Sequence, residues 1–353
     1  MSKIDLVIPT HNRINLLKRI LDFYQSYGND FNFIIADSSN SNNKEFNKKL
    51  VRTYSNLNIL YIDKFPEKLE QHYKFAEMVK YLKSEFCVFC PDDDFIIPNA
   101  IRECVTFLEK NPDYSAAHGT YISFEVQRQS SGDNKFRWRL LFSPHSISSS
   151  NPTNRLSSHL IDFILTLWAV RRTETVKLCY KEFSKAKIDP YLLPILGELL
   201  PDALTAIFGK VKSLNTLYGA RQYLSQIRGY FPSLIDAKKA GKFDKSYSSF
   251  KNSLVNNLNK KNNFPGEKIN KTIDKIMEDY IKYSYQEHLV NNIYLLLKNA
   301  PPFISRGLKL LHADYLFSKS KKSPIGLIDK PSSKYFSDFN NIQKIVLKYS
   351  SLQ

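Results

Sequence analysis

The sequence lacks a hydrophobic run long enough to cross a membrane. Its longest apolar stretch, Leu156 to Val170, is interrupted by His159 and Asp162 and is shorter than the ~20 residues that span a bilayer. We expect a buried helix there. The chain reaches Pro9 after one short apolar run, which does not fit the hydrophobic region of a secretory signal.

Cysteine is also scarce. The four cysteines Cys87, Cys90, Cys104 and Cys179 are too few and too irregularly spaced for a disulfide framework. Cys87 and Cys90 form a C-x-x-C pair, but no second pair or histidine completes a metal site. Core packing in a reducing cytoplasm is the expected role.

Positive charge is abundant, and it is concentrated towards the C-terminus. The 353 residues carry a net charge of +17, and residues 231–353 hold 21 Lys and Arg against 10 Asp and Glu. Such a balance attracts polyanions, either nucleic acid or the anionic face of a membrane. A Lys-rich solvated surface is the alternative. No nucleic-acid-binding motif is recognisable.

The segment Phe86 to Phe95, FCVFCPDDDF, places Asp92, Asp93 and Asp94 directly after an apolar run. Anions packed this closely repel one another unless water or a cation neutralises them. Carboxylates at positions i and i+2 beside a strand end are suited to Mg²⁺ or Mn²⁺, which keep their other ligands for water and substrate phosphate. The segment therefore indicates phosphate chemistry, with a solvated acidic turn as the alternative.

The first part of the chain alternates strand and helix patterns. Four apolar runs start roughly 25 to 28 residues apart, which is the repeat length of a βα unit. The runs are Ile4–Pro9, Phe31–Asp37, Asn58–Ile62 and Phe86–Phe89. Pro98 suits the first turn of a later helix. The pattern predicts a mostly parallel sheet with helices on both faces, whose ligands bind at the carboxyl ends of the strands.

The pattern changes after residue 115. Ala116 to Val126 alternates as a strand does, Gln127 to Asn154 is rich in Ser and Asn and predicts a flexible loop, and helices dominate afterwards. We therefore divide the chain into a first domain, 1–230, and a basic helical accessory region, 231–353. Pro302 to Lys319 has an apolar face with basic residues around it, as interfacial helices do, although packing against protein is the commoner use of such a face.

Three elements, in this order, carry a resemblance to a known family. The opening DLVIPTHNR, the strand that ends in Asp37-Ser38-Ser39, and PDDDF after the fourth strand are similar to family 2 glycosyltransferases of the GT-A fold. IIPNAI after the acids and the later Trp168 to Arg172 resemble the bacterial surface-polysaccharide members of the capsule and O-antigen type. The resemblance covers about residues 1–230.

The resemblance implies an α/β fold of the GT-A class, Rossmann-like, with residues 1–115 as the nucleotide-binding half and 116–230 as the acceptor half. It also implies that Asp94 and Asp92 bind Mn²⁺ or Mg²⁺, with Asp92 near the ribose and Asp93 orienting the loop. A metal there would neutralise the departing diphosphate as a Lewis acid.

Further nucleotide contacts are implied at the ends of the first two strands. Asp37 resembles the acid that meets a uracil ring, which suggests a UDP-linked donor, although an Asx turn that closes the strand would use the same residue. Thr10, Asn12 and Arg13 would line the base and the diphosphate. Arg221 would contact phosphate, with a surface salt bridge as the alternative.

An inverting transfer needs a base that takes the proton of the acceptor hydroxyl. Glu198 and Asp202, in GELLPD, are the candidates, with Glu198 first; Pro201 makes a regular helical turn between them uncertain. Either acid could instead complement a helix dipole. The chain lacks the Gln-x-x-Arg-Trp signature of processive members, so we expect transfer of a single sugar.

Together these features predict a metal-dependent, inverting glycosyltransferase of the cytoplasm. It would move one sugar, hexosyl or N-acetylhexosaminyl, from a nucleotide sugar to a surface glycan or its lipid-linked precursor, with peripheral contact at the inner face of the membrane through the basic region. A non-catalytic nucleotide-binding protein on the same fold is the first alternative, and a nucleic-acid-binding protein is the second.

Overall fold

The structure is a computed structural model, and it describes residues 4–28, 30–128, 132–142, 145–161, 164, 166–223, 234–261, 269–282 and 328–350. Within these ranges nine strands belong to one sheet. In chain order they are β1 (Ile4–Thr10), β2 (Phe31–Asp37), β3 (Asn58–Ile62), β4 (Phe86–Phe89), β5 (Phe95–Ile96), β6 (Tyr114–Arg128), β7 (Asn134–Phe142), β8 (Val170–Arg172) and β9 (Lys210–Gln222).

Helices cover the sheet. They are α1 (Ile14–Gln25), α2 (Ser41–Arg52), α3 (Gln71–Met78), α4 (Pro98–Lys110), α5 (Pro152–Ile161), α6 (Thr173–Lys185), α7 (Glu198–Phe208), α8 (Leu234–Lys239), α9 (Phe243–Lys261), α10 (269–282) and α11 (Phe336–Tyr349). The predicted α/β fold with helices in the C-terminal region is confirmed.

The first half of the sheet is parallel. Its strands lie in the order β3-β2-β1-β4, and Thr10 at the end of β1 is in register with Asp37 at the end of β2. Every residue of β1 is buried, as expected for a strand with helices on both faces. The polar groups that follow β1, β2 and β4 therefore meet at one edge.

The second half of the sheet is mixed. The short strand β8 is antiparallel to both β4 and β6, whereas β9 is parallel to β6 and antiparallel to β5. Strand β6 is long, and beyond β8 the same edge of β6 pairs with β7. This second half brings the end of β9 beside the acids that follow β4.

Two expectations for the middle of the chain are wrong. The loop predicted over Gln127 to Asn154 contains β7, whose alternation of basic and apolar residues has the strand period of two. The helix predicted over Leu156 to Val170 ends at Ile161, and Val170 begins β8.

The C-terminal helix α11 packs against α1 and β7. Phe339 of α11 lies against the rings of Phe136 and Trp138 in β7, and Tyr349 donates a hydrogen bond to Asp22 of α1 at 2.5 Å. The last described helix is thus packed onto the parallel half of the sheet through α1. The predicted interfacial segment Pro302 to Lys319 lies outside the described residues.

Candidate active site

The three acids after β4 form a turn, here called the acid loop (Asp92, Asp93 and Asp94). Asp92 and Asp94 are only 3% and 6% exposed, while the side chain of Asp93 is 21% exposed. A solvated acidic turn would leave all three in water. The burial of two of them requires compensating partners.

Asp92 and Asp93 are tied to the segment that follows β1. Thr10 Oγ1 donates to Asp92 Oδ2 at 2.7 Å. The guanidinium Nη1 of Arg13 donates to Asp92 Oδ1 at 3.2 Å and to Asp93 Oδ2 at 2.8 Å. The sequence predicted that Thr10 and Arg13 lie at this edge of the sheet, and in the structure both donate hydrogen bonds to the acid loop.

Asp94 is held from the other side by the end of β9. The backbone N–H of Gln222 donates to Asp94 Oδ1 at 2.9 Å, and Arg221 Nε donates to Asp94 Oδ2 at 3.2 Å. Arg221 is therefore in the site, although the group it contacts here is a carboxylate.

Burial raises the pKa values of two of these acids. Asp92 rises to about 6 and Asp94 to about 7, because burial disfavours the anion and the charge of Asp93 adds repulsion. Arg13 opposes the rise at Asp92, and Arg221 opposes it at Asp94. Two buried acids that hold their protons this strongly are a functional-site signal.

Arg19 is a site residue that the sequence analysis missed. It lies on α1 and is 1% exposed, with its guanidinium 5.0 Å from the ring centre of Phe95. Nη2 donates to the backbone carbonyl of Asp93 at 2.8 Å, and Nη1 donates to Gln222 Oε1 at 2.7 Å. Burial lowers its pKa to about 10, so it stays charged at neutral pH. The sequence feature that could have identified Arg19 is its position next to Ile20, on the apolar side of a helix.

Asp37 is fully buried, and both of its carboxylate oxygens have partners. Oδ1 accepts from the backbone N–H of Ser39 at 2.7 Å, which is the Asx turn that the sequence allows. Oδ2 accepts from Asn47 Nδ2 at 2.7 Å and from the Tyr61 hydroxyl at 2.6 Å. Contact between Asp37 and a nucleotide base stays a prediction.

Asn12 connects the loop after β1 to the start of α2. Its backbone has φ of 54°, a left-handed conformation that asparagine tolerates better than most residues. Its Oδ1 accepts from the Asn40 N–H at 2.9 Å and from Asn43 Nδ2 at 3.0 Å. In this structure its side-chain oxygen positions protein, and a nucleotide contact by Asn12 stays a prediction.

Lys74 is a second buried cation at the edge. Its Nζ donates to the Thr10 carbonyl at 3.2 Å and to Ser38 Oγ at 2.9 Å. Burial lowers the pKa of Lys74 to about 8. Arg13, Arg19, Lys74 and Arg221 place four cations among the acids of this edge, and a metal ion on those acids would leave the cations available to an anionic ligand.

Glu198 is the first residue of α7 and lies near enough to Arg221 to interact with its charge. It is half-buried, and burial raises its pKa to about 7, with the charge of Arg221 opposing the rise. Gly197 precedes it against the ring of His72, where a Cβ on residue 197 would lie 2.9 Å from His72 Cδ2. The ring of His72 therefore leaves no room for a side chain at residue 197, directly before Glu198.

Asp202 lies one turn further along α7 and is fully buried. Its Oδ1 accepts from Thr166 Oγ1 at 2.9 Å. Burial raises its pKa well above the usual range, and the nearby Glu198 adds to the rise. Pro201 lies inside α7 and does not end it, since the helix continues to Phe208.

Two absences hold for the part of the chain that the structure describes. No group of three or more His, Cys, Asp or Glu side chains is arranged to hold a metal ion. No helix there has the length and the apolar character needed to cross a bilayer. Carboxylate oxygens are nevertheless ligands that Mg²⁺ and Mn²⁺ prefer, and each has a second lone pair available, so the donor chemistry of Asp92 and Asp94 fits such an ion.

A parallel nucleotide-binding half, an acid loop after its fourth strand and a mixed second half define the GT-A class of glycosyltransferase fold. Residues 5–173 match the model of glycosyl transferase family 2. The match begins in β1, contains the acid loop and covers just under half of the 353 residues. Residues 5–173 therefore form a glycosyl transferase family 2 domain, which indicates a glycosyltransferase.

Solved structures with a similar backbone share little sequence with the chain. Residues 1–349 of S. aureus TarS in complex with UDP-GlcNAc are 13% identical with a TM-score of 0.49, covering 99% of this chain and 92% of that one. A longer S. aureus TarS structure is 14% identical with a TM-score of 0.49 over 90% of this chain, which spans 53% of its length.

The mannosyltransferase PcManGT from Pyrobaculum calidifontis, in complex with GDP-Man and Mn²⁺, is 11% identical with a TM-score of 0.45, covering 99% of this chain and 86% of that one. Similarity at this level carries no information about substrate. No curated protein matches the chain.

Proposed function

We propose that the protein is an inverting, metal-dependent glycosyltransferase that moves a single sugar from a nucleotide sugar, UDP-linked, to an acceptor hydroxyl. One observation carries the proposal. Arg221 pairs with Asp94 of the acid loop and also interacts with Glu198, so one guanidinium links the acids proposed to hold the metal to an acid with a pKa of about 7.

The nucleotide-binding half, residues 1–115, binds the nucleotide and its diphosphate. Arg13, Arg221 and Lys74 supply positive charge for the diphosphate, and Arg is suited to bidentate contact with phosphate. Thr10 and Arg19 hold the acid loop in position, since they bond Asp92 Oδ2 and the Asp93 carbonyl. Asp37 and Asn12 shape the rim where the base would lie.

Asp94 and Asp92 would hold Mn²⁺ or Mg²⁺. When bound, the ion supplies Lewis-acid neutralisation of the diphosphate as the sugar leaves. Both acids must be deprotonated to bind it, which their pKa values of about 6 and about 7 permit at neutral pH. Asp93, whose backbone carbonyl Arg19 holds, orients the loop.

Glu198 is the proposed general base. A base works best when its pKa lies near the working pH, and the pKa of Glu198 is about 7. It would take the proton of the acceptor hydroxyl as that oxygen attacks the anomeric carbon from the side opposite the leaving diphosphate. Burial holds the pKa of Asp202 well above its usual range, and the side chain is fully buried, so we assign Asp202 to positioning α7.

We propose a bacterial surface glycan, or its lipid-linked precursor, as the acceptor. The resemblance of the acid segment to surface-polysaccharide enzymes supports this acceptor, and the basic C-terminal region would suit peripheral contact with the inner face of the cell membrane. The division at residue 230 is part of the same proposal, with residues 231–353 as the accessory region.

A panel of UDP- and GDP-sugars tests the proposal. Release of nucleoside diphosphate from one of them, dependent on Mn²⁺ or Mg²⁺ and abolished by EDTA, is the expected result. Binding of a nucleotide sugar without any release, with or without acceptor, would favour the non-catalytic alternative. If no nucleotide sugar is bound or turned over, the proposal fails.

A further inference from the structure

One face of the hairpin formed by β6 and β7 carries three exposed basic side chains, here called the basic face (Lys135, Arg137 and Arg139). The residues between them, Phe136 and Trp138, point the other way and pack against Phe339 of α11. Because successive side chains of a strand point to opposite sides, the three cations lie on the side that α11 does not cover.

The basic face continues into the candidate active site. Ser123 of β6 is in register with Arg139 on one side and with Arg221 on the other. Residues directly opposite each other on neighbouring strands project from the same face. The guanidinium of Arg139 lies 5.7 Å from the ring centre of Tyr223, two residues after Arg221. Arg139, Ser123 and Arg221 therefore form one row.

The charge of this row is mostly positive. Among the β6 residues directly opposite the basic face, Glu125, which pairs with Arg137, carries the carboxylate. It accepts a hydrogen bond from Gln127 Nε2 at 2.5 Å. Among the described residues, none forms an ion pair with Lys135, Arg137 or Arg139. Alternate residues of a strand are about 7 Å apart, so the basic face presents cations at a regular spacing to solvent.

We propose that the basic face binds the acceptor and that the acceptor is a polyanionic glycan chain with one phosphate or carboxylate group per repeat. This rests on the proposed function, since the row leads from solvent to Arg221 and Glu198. Successive anionic groups would pair with Lys135, Arg137 and Arg139 while a hydroxyl at the chain end reaches Glu198. Arginine forks match both phosphate and carboxylate oxygens.

Binding of three labelled oligomers of equal length tests this inference by fluorescence anisotropy. The probes are a glycerol phosphate oligomer, an oligogalacturonate and a neutral gluco-oligosaccharide. We expect at least one charged oligomer to bind tenfold or more tightly than the neutral one at low salt, and to weaken as NaCl screens the charges. The tighter of the two charged probes identifies the oxyanion.

Two single variants separate the basic face from the overall charge of the protein. Arg137→Glu should weaken binding of the charged oligomer at least tenfold. Arg128→Glu makes the same change at an exposed position of β6 in the same hairpin, on the opposite side by strand alternation, and should have less than a twofold effect. Equal losses in the two variants, or equal binding of the neutral oligomer, would overturn the proposal.

Vesicles that contain phosphatidylglycerol distinguish a lipid surface from a glycan. If Arg137→Glu weakens vesicle binding and leaves oligomer binding unchanged, the basic face binds membrane and the proposal is wrong. Donor hydrolysis without acceptor reports on the proposed function alone. If donor hydrolysis fails while oligomer binding and the difference between the two variants are unchanged, the proposed transferase role is wrong and the polyanion site stands.

Discussion

Arg19 and Asp93 are joined by a hydrogen bond of 2.8 Å from the guanidinium Nη2 to the backbone carbonyl of Asp93. The same guanidinium holds Gln222, whose backbone N–H binds Asp94. One buried arginine on α1 therefore connects the acid loop to the end of β9. Its removal should disturb the geometry of the site without removing a group that touches substrate.

We predict that Arg19→Met lowers kcat/KM by about 10- to 100-fold, of the order that misplacement of reacting groups costs. Stability should also fall, by about 1–3 kcal/mol for each buried acceptor left without a donor. Metal affinity measured by calorimetry should weaken, which a purely structural loss elsewhere would not cause. Arg19→Lys should restore part of the affinity. Arg52→Met, at an exposed position on α2, is the control and should change neither quantity.

Glu198→Gln should lower kcat by about 10²–10⁴-fold, the range that general acid–base groups contribute. The wild-type rate should rise with pH through about 7, because Glu198 acts as a base only when deprotonated and its pKa is about 7. Asp92 and Asp94 also lose protons in this range, so the comparison is made at saturating metal, where the rising limb should be absent from the residual activity of the variant. Glu174→Gln, an 81% exposed side chain on α6, is the matched control. A normal rate in Glu198→Gln would exclude this residue as the base.

Asp94→Asn should abolish metal-dependent hydrolysis of the donor while the protein stays folded. The amide removes a negative charge that a divalent cation requires, and its single oxygen can still accept from the Gln222 N–H or from Arg221. Metal titrations followed by nucleoside diphosphate release provide the measurement. Asp113→Asn, a 54% exposed side chain paired with Lys210, should behave as wild type. Undiminished metal dependence in Asp94→Asn would move the metal site elsewhere.

Gly197→Ala should destabilise the protein by about 1–3 kcal/mol, the usual cost of overpacking, because the new Cβ would lie 2.9 Å from His72 Cδ2. Activity should fall as well, since Glu198 is the next residue. Thermal unfolding and donor turnover measure the two effects. The double variant Gly197→Ala/His72→Ala should recover activity relative to Gly197→Ala. If it does not, the contact with His72 is not the reason for glycine at this position.

Phe339→Ala in α11 should lower stability by about 3–5 kcal/mol, as expected for deleting a buried aromatic ring. Phe339 is 3% exposed and lies against Phe136 and Trp138. Denaturant unfolding should remain a single transition, because α11 packs on α1 and β7. Lys344→Ala, on an exposed position of the same helix, should have little effect. A separate early transition in Phe339→Ala would make the C-terminal helix an independent unit.

The parallel half was predictable because its central strands β1, β2 and β4 are buried on both faces. Such strands read as continuous apolar runs, so β2, β3 and β4 begin and end where the sequence placed them, and β1 extends one residue further. Strand β7 was not predicted because the segment around it is rich in Ser and Asn, which favours a loop. Within β7 itself, the alternation of basic and apolar residues with a period of two is the better indicator.

The positions of the acids were predictable, but their partners were not. Asp94 pairs with Arg221, 127 residues later, and Asp37 accepts from Tyr61, 24 residues later. Contacts at such separations depend on strand order, and β9 reaches the acid loop through antiparallel pairing with β5. Nor could the sequence show that Asp202 is enclosed while Glu198 is half-buried, since both lie on one helix.

The ion pairs of the acid loop have a consequence for the protein before any substrate arrives. Arg13 and Arg221 form ion pairs with all three acids from within the chain. The protein should therefore keep this corner assembled in metal-free buffer. If Asp92 and Asp94 held a divalent cation, Arg13 and Arg221 would be free to pair with the donor's phosphates instead.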